Sequence, residues 1–185
     1  MRGAMKFTNT QLAGVTIVKL EPYTDDRGFF ARAFDAREFA AHGLTGRVSQ
    51  ANISYNRRRG TLRGLHYQLP PAQEAKHIRT VHGAAHFVVV DLRPDSPTER
   101  QHVAVPLDAV SRRSLLVPEG CAVGMQTLED DTELFYQVSE FYTPERERGL
   151  RHDDPELGIE WPLPVAVISD KDRAWPLLEP LRARP

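Results

Sequence analysis

An all-β sandwich or barrel is the fold class this sequence predicts, and two patterns carry the prediction. Short β-rich segments recur at close spacing between residues 15 and 139, and turn chemistry stands between them. The segments are 15–20, 29–34, 48–55, 61–68, 76–81, 85–92, 102–105, 114–117, 123–128 and 132–139. Asp26-Arg27-Gly28, Arg59-Gly60, His82-Gly83, Pro94-Asp95-Ser96-Pro97, Pro118-Glu119-Gly120 and Glu129-Asp130-Asp131 each fall between apolar runs. Glycine supplies positive φ there, while proline and aspartate preset a turn. One helix interrupts the strands: Asp35 caps it, Glu38 is the capping-box partner, Phe39 and Ala40 give apolar contacts, and Gly43 stops it. After Tyr142 the rhythm fades into a proline-rich, charged stretch, 143–164, then 165–169 and a short helical turn at 170–175. This tail is predicted to wrap the barrel. With no internal repeat or linker, residues 1–185 read as a single domain, ordered over about 5–180 and frayed at 1–4 and 181–185.

Composition narrows the function. A chain that is 41% hydrophobic and 26% charged can bury one sizeable core. Twenty-four Lys+Arg against twenty-five Asp+Glu leave no basic excess to track a nucleic-acid backbone, so an anionic partner needs a local cluster. Cys121 stands alone and forms no intrachain disulfide, and the N-terminus lacks the apolar stretch of a secretory signal, which predicts a cytoplasmic protein. No run approaches the roughly 18 apolar residues of a membrane span.

Seven histidines raise a metal hypothesis. A barrel site of that kind takes paired histidines on one strand and another from a later strand, yet His66 is followed by Tyr67-Gln68, and the later strand offers Val123. No metal is predicted, and His77, His82, His86 and His102 read as exposed or hydrogen-bonded strand residues. Cys121 reads as a small buried hydrophobe. Nucleophile-elbow, phosphate-loop and dinucleotide fingerprints do not occur.

The polar crowding lies in Gln50-Ala51-Asn52-Ile53-Ser54, Arg57 to Gly60, Thr61 to Gln68 and Glu74-Ala75-Lys76. Strand alternation sends Gln50, Asn52 and Ser54 to one face, and a row of such groups inside a barrel fits a bound polar ligand. Strict alternation would separate Arg63 from His66, so a bulge at Gly64 is predicted.

The chain resembles the nucleotide-sugar 3,5-epimerase family. The resemblance runs from about Met5 to Leu178. It rests on Asp26-Arg27-Gly28-Phe29-Phe30, Gln50-Ala51-Asn52-Ile53-Ser54, Leu62 to Gln68, Ala75-Lys76, Val90-Asp91-Leu92-Arg93 with Ser96-Pro97-Thr98, Pro118-Glu119-Gly120, Tyr136, Tyr142-Thr143-Pro144, Asp153-Asp154-Pro155, Gly158 to Pro162 and Ser169-Asp170-Lys171-Asp172. It implies a cupin-like double-stranded β-helix, or jelly-roll barrel, with a few short peripheral helices. It also implies a homodimer whose site is shared between subunits, a nucleotide-sugar substrate, and neither metal nor nicotinamide. The C–H bonds flanking the C4 carbonyl of a 4-keto-6-deoxy sugar are acidified, so inversion needs a base, a group to hold the enolate oxygen, and an acid on the opposite face. By resemblance His66 is the base, Asp172 its orienter, Lys76 the enolate partner and Tyr136 the acid. Arg27, Arg63, Gln50 and Asn52 would hold the diphosphate, Tyr142 would stack on the nucleotide base, and Phe29 lies in the segment that crosses the dimer.

Two positions depart from the family. Gly120-Cys121-Ala122-Val123-Gly124-Met125 carries Val123 where members commonly have a histidine, and Arg32 stands where many carry an acid. Isopropyl for imidazole removes a donor and an acceptor, which admits a single-site epimerase beside the double one. Two further rivals are a nucleotide-sugar binding protein without turnover and a metal-dependent oxygenase of the same fold.

Overall fold

A computed structural model describes residues 4–178; of the fraying expected at 1–4 and 181–185, all but Ala4 lies outside them. Thirteen strands and two short helices follow in order. They are β1 (Met5–Asn9), β2 (Thr16–Leu20), β3 (Tyr23–Asp25), β4 (Gly28–Phe30), α1 (Ala36–Ala41), β5 (Gln50–Asn56), β6 (Leu62–Gln68), β7 (Lys76–His82) and β8 (Ala84–Asp91). After them come β9 (His102–Asp108), β10 (Arg113–Val117), β11 (Cys121–Thr127), β12 (Thr132–Val138), β13 (Glu147–Gly149) and α2 (Asp170–Arg173). One antiparallel sheet runs β1-β2-β10-β7-β12-β5 and the other β13-β6-β11-β8-β9, while β3 and β4 form a separate hairpin. The all-β prediction holds, with its two short helices at the periphery.

Alternation explains the layers. Ile78, Phe87, Val89, Val105, Leu115, Val123, Met125 and Leu134 point inward from β7 to β12 and form the main core between the sheets. The continuous run of β8 is buried on both sides, because Val88 and Val90 face Leu150, Leu157, Ile159 and Trp161 of the following tail. The tail thus wraps the five-stranded sheet, as the sequence suggested. Phe39 of α1, fully buried, closes a third cluster with Met5, Val18, Leu20 and Leu116. Among the described residues no helix is long and apolar enough to cross a membrane.

Two expectations need correction. The strand at 29–34 is only Gly28–Phe30, since residues 31–35 leave the hairpin to feed α1. Asp35 caps α1 by accepting from the Arg37 and Glu38 amides, but the Glu38 carboxylate accepts from the Met5 amide at 3.0 Å, so the capping box is half made and the helix ties down β1 instead. Segment 165–169 contributes one parallel bridge, Thr61 to Val167. The pairings of β1, β3 and β13 were not foreseen.

The Gly64 bulge is present. Val123 pairs with His66 and Met125 with Arg63, so three steps on β6 span two on β11. Gly64 has φ +112°, and a Cβ there would lie 2.5 Å from the Gly124 Cα, a backbone atom that cannot swing aside. The bulge brings Arg63 and His66 to the same cavity. Gly64→Ala is expected to lose more than about 1 kcal/mol of stability in urea unfolding; an unchanged midpoint would contradict the close approach.

Candidate active site

His66 sits at the centre of a three-strand ladder, with Val123 of β11 on one flank and Gly149 of β13 on the other. Directly opposed residues project to one face. Because Gly149 has no side chain, the Trp175 indole occupies that place: a Cβ on Gly149 would fall 2.4 Å from two indole atoms. Trp175 packs edge-on to His66 at 6.2 Å between ring centroids, and its Nε1 donates to Asp172 Oδ1 at 3.3 Å.

Asp172 enters on α2, whose first turn is fixed by the Ser169 hydroxyl accepting from the Asp172 amide. Its side chain is 5% exposed and contacts His66 Nε2 at 2.5 Å through Oδ1, while Oδ2 accepts from the Gly64 amide at 3.3 Å. Burial works against its ionisation, but the hydrogen bond and charge of His66, with the Gly64 and Trp175 donors, hold the carboxyl below its usual range. An ionised Asp172 can only accept, so Nε2 carries a proton, and in the neutral imidazole Nδ1 keeps its lone pair. The residues brought together across 106 positions of sequence form a base and its orienter.

His66, Lys76 and Tyr136 line two adjoining compartments. The first, about 370 Å³, is polar, with Gln50, Asn52, Gln68, Glu74, Tyr142 and Glu147 in its wall. The second, about 270 Å³, adds Ser54 and Arg63 to a wall of Ile78, Phe87, Val123, Met125 and Leu134. Burial, with the charge of Glu74 outweighing that of Arg63, raises the Tyr136 phenol above its ordinary value and keeps it protonated. Arg63 Nε donates to Asn56 Oδ1 at 2.7 Å, which aims the guanidinium.

Four site groups lay outside the sequence prediction. Glu74 pairs with Lys76 at 3.0 Å, both side chains nearly buried. Glu147 accepts from the Tyr142 hydroxyl at 2.6 Å and pairs with Lys171 at 2.5 Å. Burial opposes ionisation of Glu147, yet Lys171 and Tyr142 pull its carboxyl below the usual range, and the same hydrogen bond pushes Tyr142 up to about 12. Trp175 is the fourth. The Gln50 side chain accepts from the Tyr142 amide at 2.6 Å, so it supports the aromatic wall as well as facing the cavity.

Two predicted ligands are not brought to this cavity. Arg27, its side chain 90% exposed, pairs with Asp25 at the tip of the β3–β4 hairpin, and Phe29 lies beneath the Arg112 guanidinium at 4.1 Å. Arg32 pairs with Asp35 at 3.2 Å, away from the lining residues. Of the histidines outside the site, His77 is buried between Ser114 and Gln137, with burial pressing its pKa down to about 4. His86 departs from expectation: its Nε2 is buried with no hydrogen-bond partner. Burial pushes the Cys121 thiol up to about 12, which fits a packed side chain rather than a nucleophile. Among the described residues no three His, Cys, Asp or Glu side chains gather as a metal would need.

A family model described as dTDP-4-dehydrorhamnose 3,5-epimerase matches residues 9–180. The dTDP-4-dehydrorhamnose 3,5-epimerase of Methanothermobacter thermautotrophicus is 40% identical over 183 residues, covering 97% of this chain and 96% of that protein. The crystal structure of the Bacillus anthracis dTDP-4-dehydrorhamnose 3,5-epimerase with TDP and PPi bound has a TM-score of 0.91 at 40% identity, covering 95% of this chain and all, 100%, of that one. A 3'-monoepimerase from Streptomyces bikiniensis in complex with dTDP-quinovose has a TM-score of 0.83 at 34% identity, covering 91% and 85%.

The lowered pKa of Asp172 has a definite sign in stability. Its carboxylate contributes fully above the unfolded value, 3.8, and the contribution fades as pH falls from there through the lower folded value. In thermal unfolding at successive pH values below about 4, wild type is expected to lose stability more steeply than Asp172→Asn. Parallel profiles would show that the His66 pairing does not favour the ionised form.

Proposed function

Since the chain belongs to the dTDP-4-dehydrorhamnose 3,5-epimerase family, we propose that it inverts C3 and C5 of a dTDP-linked 4-keto-6-deoxyhexose in deoxysugar biosynthesis, with the residues of this cavity as its machinery. It is an isomerase of the cupin-type fold. The observation that carries the assignment of roles is the His66–Asp172 contact at 2.5 Å in the compartments that also hold Lys76 and Tyr136.

His66 Nδ1 takes the proton from the carbon next to the C4 carbonyl, and the C–H electron pair moves into the ring bond as the carbonyl oxygen becomes an enolate. The Lys76 ammonium stabilises that oxygen, with Glu74 holding the ammonium in place. Tyr136 then donates its phenolic proton from the other ring face, and inversion results. Asp172 acts through His66: it fixes the ring, sets the tautomer and stabilises the imidazolium that forms. No step in this scheme draws on a metal or a nicotinamide.

Arg63 serves the diphosphate, Gln50 and Asn52 add neutral hydrogen bonds, and Tyr142 stacks on the nucleotide base. Arg27 and Phe29 belong to the site of a second copy. Supporting this are the exposed Tyr23, Phe29 and Phe30 on the hairpin and the exposed Ile53 and Tyr55 on edge strand β5, apolar surface of the kind an interface covers. The working unit is therefore a cytoplasmic homodimer of single-domain chains. A single-site epimerase is the second reading, favoured by Val123 beside the base.

With dTDP-4-keto-6-deoxyglucose in deuterium oxide, followed by NMR, the protein is expected to incorporate label at C3 and C5; label at one carbon selects the single-site reading. His66→Ala should abolish incorporation and leave dTDP binding within a few-fold, and Tyr136→Phe should lower turnover by about 10²- to 10⁴-fold. Native-rate exchange in His66→Ala would remove the base from this scheme. Light scattering should return twice the 20.9 kDa chain mass, and a monomer at working concentration would sink the shared site.

A further inference from the structure

Arg63 and Lys76 are the permanent cations that this chain sets in the walls of the two compartments, among the described residues. Their partners differ. Lys76 is met by the Glu74 carboxylate at 3.0 Å, and both side chains are nearly buried. Arg63, exposed on β6, is met instead by a neutral amide, its Nε donating to Asn56 Oδ1 at 2.7 Å. Lys171, beside the cavity, follows Lys76, since it pairs with Glu147 at 2.5 Å. The lysines are thus neutralised, and the arginine keeps its charge.

A carboxylate in contact with an ammonium cancels most of its field beyond the pair, and in a cavity partly shut off from water that cancellation decides where an anion comes to rest. A diphosphate is fully charged before any reaction begins. Beside Lys76 it would lose its water and meet the Glu74 carboxylate as well as the ammonium. Beside Arg63 it keeps part of its hydration and meets an unopposed charge on a planar fork suited to phosphate. A sugar carbonyl is neutral when it binds, so Glu74 does not repel it. The ammonium has three N–H donors, and those that Glu74 leaves free can meet the one oxygen that gains charge in the enolate.

We propose that Glu74 is a positioning residue that denies Lys76 to the diphosphate, sends that group to Arg63, and reserves the ammonium for the C4 oxygen of the sugar. This rests on the epimerase reading above and adds the residue that fixes which way round the substrate lies. Calorimetric titration with inorganic pyrophosphate tests it in wild type, Arg63→Gln, Glu74→Gln and the double variant Glu74→Gln with Lys76→Met. Arg63→Gln should weaken binding, and Glu74→Gln, which unmasks the ammonium, should tighten it by about tenfold or more. The double variant removes both members of the pair and should bind pyrophosphate as wild type does. It buries no unmatched charge, so the test survives if Glu74→Gln does not fold. Deuterium uptake from dTDP-4-keto-6-deoxyglucose is followed in parallel. There Glu74→Gln should lower kcat and KM together, because substrate lodged the wrong way round occupies the site without reacting. Pyrophosphate affinity that Glu74→Gln fails to raise, that Arg63→Gln leaves unchanged, or that the double variant loses overturns the positioning role, while uptake by wild type leaves the epimerase standing. No uptake by wild type overturns the epimerase reading and the positioning role with it.

Discussion

A carboxylate taken out of water must be met by donors, and Asp172 finds them in two separate parts of the chain. His66 and the Gly64 amide come from β6 and Trp175 from the residues after α2, while the Ser169 hydroxyl accepts from the Asp172 amide and fixes the turn that presents the aspartate. Each donor depends on a further local condition. The Gly64 amide points correctly because the bulge re-aims β6, and the Trp175 indole fits because Gly149 leaves its place empty. The long tail is anchored by Leu150, Leu157, Ile159 and Trp161 on the outer face of the five-stranded sheet, and so delivers α2 to a fixed point. Stability and proton transfer thus draw on one set of contacts.

Around that anchor the cavity has two compartments. One compartment collects amides, phenols and carboxylates, and the other mixes Arg63 and Ser54 with Ile78, Phe87, Met125 and Leu134. His66, Lys76 and Tyr136 stand where the two meet.

Strands with regular alternation and glycine- or proline-marked ends were legible in the sequence, because their periodicity and turns are local properties. The β1 strand was not: Met5-Lys6-Phe7-Thr8-Asn9 carries no turn signal before it, and its place is set by pairing with β2 and by Glu38 reaching the Met5 amide. The bulge at Gly64 was legible because two polar residues needed the same face. Glu74, Glu147 and Lys171 were passed over as site groups, since charged residues on short strands and turns ordinarily face solvent. Only the folded chain shows them paired within or beside the cavity. Arg27 and Phe29 illustrate the opposite limit, a motif that marks surface this chain does not turn toward its own cavity.

The β13-β6-β11 register also separates two kinds of change. The Trp175 indole approaches His66 from the Gly149 flank, while Val123 stands on the β11 flank. Substitutions at position 123 therefore need not disturb the Asp172–Trp175 scaffold. The register thus lets one flank of the base change while the other keeps its ring in place.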